Sequence, residues 1–96
     1  MTTAPVETPE EDFLRVGART STPELAAAIS HAIYDSKTVK LRAIGAGAVN
    51  QTVKAIVMAQ GYAAQRGLSL ATRPGFASID MEGEERTAIV FHVFVV

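Results

Sequence analysis

The sequence contains no cysteine, no tryptophan and only two histidines, His31 and His92. The absence of cysteine excludes disulfide bonds, thiol catalysis and thiolate metal sites, and the two histidines lack the spacing of a metal-binding motif such as HExxH. We therefore expect neither a metal site nor a cofactor.

Long apolar runs are also absent. No segment approaches the roughly 20 apolar residues of a membrane span, and the N-terminus lacks the basic-then-apolar pattern of a secretory signal. We expect a cytoplasmic protein without membrane contact. A chain of 96 residues with 48% hydrophobic composition is long enough for one compact domain and too short for two.

Positive charge is missing from the first twelve residues, "MTTAPVETPEED", which contain four carboxylates and no lysine or arginine. Residues 13–96 contain nine basic and six acidic side chains, a formal charge of +3. Because the first segment has too little apolar surface to offset its ordering entropy, we predict a disordered acidic tail over 1–12 and a folded domain over 13–96.

The folded part alternates between the two-residue period of strands and the 3.6-residue period of helices. Strands are predicted over 13–18, 38–44, 68–73 and 86–96, and the third either ends at Pro74 or is extended by "FASIDM". One helix begins at the capping box of Ser21 and Glu24. A second begins within "GAGAVNQ" and ends near Arg66, with Gly67 as its left-handed terminator.

The order βαβαββ predicts an α/β two-layer sandwich, with a mixed four-stranded sheet and both helices on one face. The last strand is apolar on both parities, which favours a central position. The second helix is expected to face the sheet through Val49, Val53, Ile56, Val57 and Gln60. Ala55, Met58 and Tyr62 would then form an exposed second ridge, which we interpret as the interface of a homodimer or tetramer.

The glycine turn in "AIGAGAVNQTVKA" (43–55) has several interpretations. A dinucleotide fingerprint requires a third glycine where the chain has Asn50, and the P-loop pattern is absent. Gly45 and Gly47 either serve a sharp turn and close packing or let backbone N–H groups at a helix N-terminus bind phosphate. In the second interpretation, the site consists of Arg19, Gly45, Gly47, Asn50, Gln51 and Lys54.

A second candidate surface is the sheet face opposite the helices. Strand alternation places four basic residues there: Arg15, Lys40, Arg42 and Arg73. Phe13, His92 and Phe94 are expected between them, a combination that suits single-stranded nucleic acid, although a solvated face or a subunit contact is the simpler interpretation. No serine or carboxylate is tied to either histidine by spacing, so we expect neither catalytic residues nor a small-molecule substrate.

The stretches "AIGAGAVNQTVKA" and "GEERTAI" (83–89) resemble the stage V sporulation protein S family, small bacterial proteins with an Alba-like fold. The resemblance covers about residues 13–96 and implies a role in sporulation or development. Likeness to Alba chromatin proteins further implies nucleic-acid binding through a dimer. In Alba proteins, lysines in the loop after the first strand contact nucleic acid, whereas this chain has only Arg19 there.

Two hypotheses of function follow. The first is a non-enzymatic regulator that binds DNA or RNA through phosphate contacts. The second is a developmental protein-protein interaction module that does not bind nucleic acid. The salt dependence of oligonucleotide binding separates them, because phosphate contacts release counterions.

Overall fold

The computed structural model describes residues 13–96, so the predicted acidic tail lies outside the described residues. Six elements follow one another along the described chain: β1 (Phe13–Val16), α1 (Thr22–Ser36), β2 (Thr38–Ala43), α2 (Ala46–Ala64), β3 (Leu70–Met81) and β4 (Glu84–Val95). The predicted order βαβαββ is confirmed.

The strands form one mixed sheet in the order β1-β2-β4-β3. β1 and β2 are parallel, and β4 is antiparallel to both of its neighbours. β4 is thus interior, as its composition predicted, and β1 and β3 are the edges. Because β1 and β2 run in the same direction, the loops that follow them meet at one end of the sheet.

The core lies between one face of the sheet and the two helices, which pack against each other on that face. Alternate residues of the strands point into it, among them Val16, Leu41 and Val93. From α1, Ile29 and Ile33 are fully buried. The predicted two-layer α/β sandwich is therefore confirmed.

The helix termini follow the sequence signals. The Ser21 hydroxyl accepts a hydrogen bond from the Glu24 backbone N–H at 3.3 Å, so the capping interaction at the start of α1 forms. After α2, Gly67 has a φ of +76° and donates to the Ala64 carbonyl, while Leu68 donates to the Ala63 carbonyl. This pair of bonds is the Schellman motif that a glycine at this position indicates.

The third strand is longer than the shorter of the two predictions, in which it ended at Pro74. β3 continues through Pro74 and Gly75 to Met81 and pairs with β4 along its whole length. An edge strand tolerates proline because one side of its backbone has no neighbouring strand to which an N–H must donate. The hairpin closes through Glu82 and Gly83, both with positive φ, as a tight two-residue turn requires.

Gly45, the N-cap of α2, and Gly47, in the first turn of that helix, are glycines for different structural reasons. Gly45 has a φ of +93°, a conformation that residues with a Cβ rarely adopt. Gly47 lies against the β1–α1 loop, where a Cβ would come within 2.9 Å of the Ala18 Cβ. Close packing of α2 on this loop therefore accounts for Gly47.

We predict opposite effects of alanine at two glycines of α2. Gly47→Ala should lower the free energy of unfolding by about 1–3 kcal/mol, because the added methyl group overpacks against Ala18. Gly61→Ala is the matched control and should raise stability by up to about 1 kcal/mol, because no atom lies within 4 Å of its added Cβ. Urea denaturation of both variants measures this, and equal changes would contradict the close-approach explanation.

Candidate nucleic-acid interface

The sheet face opposite the helices carries a continuous row of side chains across all four strands. Phe13 pairs in register with Lys40, Lys40 with His92, and His92 with Arg73. Paired residues of neighbouring strands share a face, and the intervening Leu41 and Val93 point into the core. We call this surface the open face.

A second row lies beside the first. Arg15 pairs with Arg42, and Arg42 pairs with Val90. The structure therefore brings all four predicted basic residues onto the open face, as strand alternation requires. Two like charges at directly opposed positions disfavour each other, so Arg15 and Arg42 concentrate positive potential at the end of this face nearest the hairpin.

Aromatic rings lie between these charges. The Arg42 guanidinium is 5.9 Å from the centroid of the Phe13 ring, and that of Arg73 is 5.7 Å from the Phe94 ring. The rings of His92 and Phe94 are tilted, with centroids 5.3 Å apart. The open face thus offers cations and ring surfaces together, which is the combination that holds phosphates and bases of a single strand.

Thr38 is a member of the open face that the sequence reasoning missed. Its hydroxyl lies within 2.6 Å of His92 Nε2 and within 3.3 Å of the Val93 carbonyl oxygen. These hydrogen bonds hold the imidazole against β2. Strand alternation alone could have identified Thr38, because it lies two residues from Lys40 in β2 and therefore on the same face.

The tip of the β3–β4 hairpin approaches one end of the open face. A groove of about 410 Å³ lies between the Arg15–Arg42 pair and the hairpin residues Ile79, Asp80 and Met81. Four of the six carboxylates of the described residues belong to this hairpin: Asp80, Glu82, Glu84 and Glu85. Charge is therefore segregated, with cations at the centre of the sheet and carboxylates at the hairpin tip.

At the glycine turn, the structure brings the β1–α1 loop and the start of α2 together. Gln51 Nε2 donates to the Thr20 carbonyl at 2.9 Å and lies 3.0 Å from the Thr22 hydroxyl. Its amide is therefore engaged in tethering the loop, which changes the predicted role of Gln51 as a phosphate donor. Asn50 and Lys54 are exposed on α2, and Arg19 is exposed on the tethered loop.

The orientation predicted for α2 is wrong in part: Val49 and Ile56 pack against the core as expected, but the residues of the predicted outer ridge do not all face outward. Ala55, placed by the sequence pattern on an outer ridge, is fully buried, and Met58 packs partly against the core, so only Tyr62 of that ridge is well exposed. Small residues face the core instead: Ala48, Thr52, Ala55, Ala59 and Ala63. Val53 and Val57, expected to face the sheet, are 45% and 66% exposed.

No group of three or more His, Asp or Glu side chains in residues 13–96 has an arrangement that could hold a metal ion. None of the helices described is long and apolar enough to cross a membrane.

Two comparisons with known proteins agree with this architecture. The model of the stage V sporulation protein S family matches residues 12–96. Among solved structures, the chain is similar to Alba from Thermoplasma volcanium, with a TM-score of 0.57 and 10% sequence identity over 86% of this chain and 96% of that one. At this identity, the likeness to Alba shows the fold alone.

The tether formed by Gln51 generates a testable prediction. Gln51→Ala should lower the free energy of unfolding by about 1–2 kcal/mol, because it leaves the partly buried Thr20 carbonyl without this donor. The neighbouring Asn50→Ala, at an exposed position, should change stability by less than about 0.5 kcal/mol. Thermal and urea denaturation measure both, and a stable Gln51→Ala protein would restore Gln51 as a candidate ligand residue.

Proposed function

The chain belongs to the stage V sporulation protein S family, and on that premise we propose that it is a non-enzymatic regulator of sporulation or development that binds single-stranded nucleic acid. The observation that carries the proposal is the row Phe13–Lys40–His92–Arg73, which crosses the whole sheet on its open face. Nucleic acid, DNA or RNA, is the partner that this chemistry suits.

The open face supports this function better than the glycine turn does. At the turn, Gly45 and Gly47 are accounted for by backbone conformation and close packing, and the Gln51 amide already has partners. Only Arg19 and Lys54 supply charge there. On the open face, four cations lie together with the rings of Phe13, His92 and Phe94, so phosphate contact and base stacking are available side by side.

A single-stranded ligand fits the shape of this surface. Neighbouring strands lie about 4.8 Å apart, so the row from β1 to β3 spans roughly 14 Å of the sheet. A duplex buries its bases inside, whereas a single strand exposes base faces to rings such as Phe94. Such binding is tolerant of sequence, because stacking and phosphate contacts are shared by all bases.

The test compares two matched pairs of substitutions, each of which removes two positive charges. Lys40→Ala with Arg73→Ala should weaken binding of single-stranded DNA or RNA at least about tenfold, because charge-assisted contacts are worth about 1.5–3 kcal/mol each. It should also lower the magnitude of the salt slope by about 1.4, since each phosphate contact on a single strand contributes about 0.7. Arg19→Ala with Lys54→Ala should have a smaller effect.

Anisotropy titrations at several salt concentrations, with DNA and RNA oligonucleotides side by side, measure these effects. If the Arg19 and Lys54 pair proves the more damaging, the glycine turn is the binding site. If the unaltered protein binds no oligonucleotide at low salt, the protein-protein interaction module is the better hypothesis.

We also propose that the protein acts as a homodimer. We place its interface at the exposed ridge of Val53 and Val57 on α2, in place of the ridge of Ala55, Met58 and Tyr62 predicted from the sequence. β-branched residues have lower helix propensity than alanine, and here two of them face solvent, where they contribute nothing to the core. A second copy that presents the same ridge would bury both in an isologous contact.

Substitution of Val57 tests this assembly. Val57→Glu should yield a folded monomer, because the glutamate is solvated in the single chain but would bury an uncompensated charge in the dimer. Ala27→Glu adds the same charge at an exposed position of α1 and should leave the mass unchanged. Light scattering over a range of concentrations decides, and a wild-type protein that stays monomeric when concentrated rules out this dimer.

A further inference from the structure

The β3–β4 hairpin projects beyond the rest of the sheet. β4 pairs with β2 only from Ile89 to Phe94, whereas it pairs with β3 from Glu84 to Val95. Positions 84–88 of β4 therefore extend past the end of β2, a length of about 17 Å at about 3.4 Å per residue. The tip of this projection, residues 80–85, contains four carboxylates and no lysine or arginine. We call it the acidic tip.

The acidic tip also carries an apolar side chain. Met81 is 43% exposed and pairs in register with Glu84. The thioether of methionine makes favourable contacts with aromatic rings. The tip thus combines negative charge with a group that suits an aromatic surface.

The open face offers the complementary groups. Lys40 and Arg73 are exposed, and both pair in register with His92 from the two neighbours of β4. Their backbones are therefore two strand spacings apart, about 10 Å, which leaves room for a two-stranded tip with a single spacing of about 5 Å. The Phe94 ring lies beside the Arg73 guanidinium. Cations and rings of this face match the carboxylates and the thioether of the tip.

The acidic tip does not reach these cations within its own chain. Glu85 and His92 are seven residues apart on the same strand, about 24 Å along extended backbone. Regular pairing between β3 and β4 continues to Met81 and Glu84, so the hairpin does not fold back over the open face. The face that receives a tip must therefore belong to another molecule.

We propose that the acidic tip of one copy of this chain docks on the open face of a second copy, between Lys40 and Arg73. The contact is heterologous, because tip and face are different surfaces, and each added copy leaves one tip and one face for the next. It is distinct from the α2 contact through Val53 and Val57. The attraction is electrostatic and falls with salt, since the Debye length shortens from about 10 Å at 0.1 M to about 3 Å at 1 M.

Light scattering on the full chain with Val57→Glu tests this contact apart from the α2 ridge. The average mass should rise with concentration at low salt and return to that of a monomer near 1 M salt. Glu84→Gln with Glu85→Gln should weaken the association at least about threefold, because two exposed ion pairs are lost. Glu24→Gln with Asp35→Asn removes the same charge from exposed positions of α1 and should leave the association unchanged.

Charge reversal identifies the two surfaces. Reversal of the tip alone, Glu84→Lys with Glu85→Lys, should abolish the association, as should reversal of the face alone, Lys40→Glu with Arg73→Glu. A chain with all four substitutions keeps the original net charge and should associate again. Its failure to associate, at an unchanged melting temperature, would overturn the proposal.

Amide chemical shifts give a second measurement that alters neither surface. As the Val57→Glu chain is concentrated at low salt, the signals of Lys40, Arg73 and Glu85 should shift together, whereas those of the exposed side of α1 should not. Shifts of the tip without shifts of the face would contradict this docking.

A docked tip covers the surface proposed for nucleic acid, and this consequence rests on the proposed function. A single-stranded oligonucleotide should therefore lower the average mass of the associated Val57→Glu chain. If that chain stays monomeric at every concentration while Lys40→Ala with Arg73→Ala still weakens oligonucleotide binding, docking fails and the proposed function stands. If the chain associates through tip and face but binds no oligonucleotide, docking stands and the proposed function fails.

Discussion

The close approach of α2 to the rest of the molecule is the constraint on which the other features depend. Gly47 meets Ala18 at a distance that leaves no room for a side chain, and a face of alanines continues this contact along the helix. Large residues of α1 and the sheet, such as Ile29 and Leu41, then fill the core from the opposite side. Because small residues occupy the inner face of α2, Val53 and Val57 are left exposed, and they form the ridge that we propose as a dimer interface.

This packing also explains the two glutamines of α2. Gln51 holds the β1–α1 loop near the start of the helix, and Gln60 accepts a hydrogen bond at 2.7 Å from the Leu70 backbone N–H near its end. Both amides are partly buried and satisfy backbone groups, one in the β1–α1 loop and one at the first residue of β3. These contacts give the glycine turn a structural role, and phosphate binding there stays a prediction. The surface that we propose for nucleic acid lies on the other side of the sheet.

The sheet separates the two roles of the molecule. Its inner face is apolar and carries the stability of the fold, whereas the open face carries cations and rings that the core does not need. Charged residues are also unevenly distributed. Cations lie at the centre of the sheet, whereas carboxylates are concentrated at the hairpin tip and in the sequence of the first twelve residues. Four of the nine basic residues of 13–96 therefore lie together on the open face.

The sequence alone determined the order of elements, the helix caps, the central position of β4 and the four basic residues of the open face. These features depend on local backbone geometry, since side chains alternate in any strand and a capping serine bonds to its own helix. Tertiary structure decided the rotation of α2, the passage of β3 through Pro74 and the partner of Gln51. Hydrophobicity ranks valine above alanine, but the fully buried positions of α2 hold only small side chains while Val53 and Val57 are exposed, so packing volume and not hydrophobicity decided which residues are buried. The edge position that tolerates Pro74 and the loop that Gln51 bonds arise only when distant segments meet.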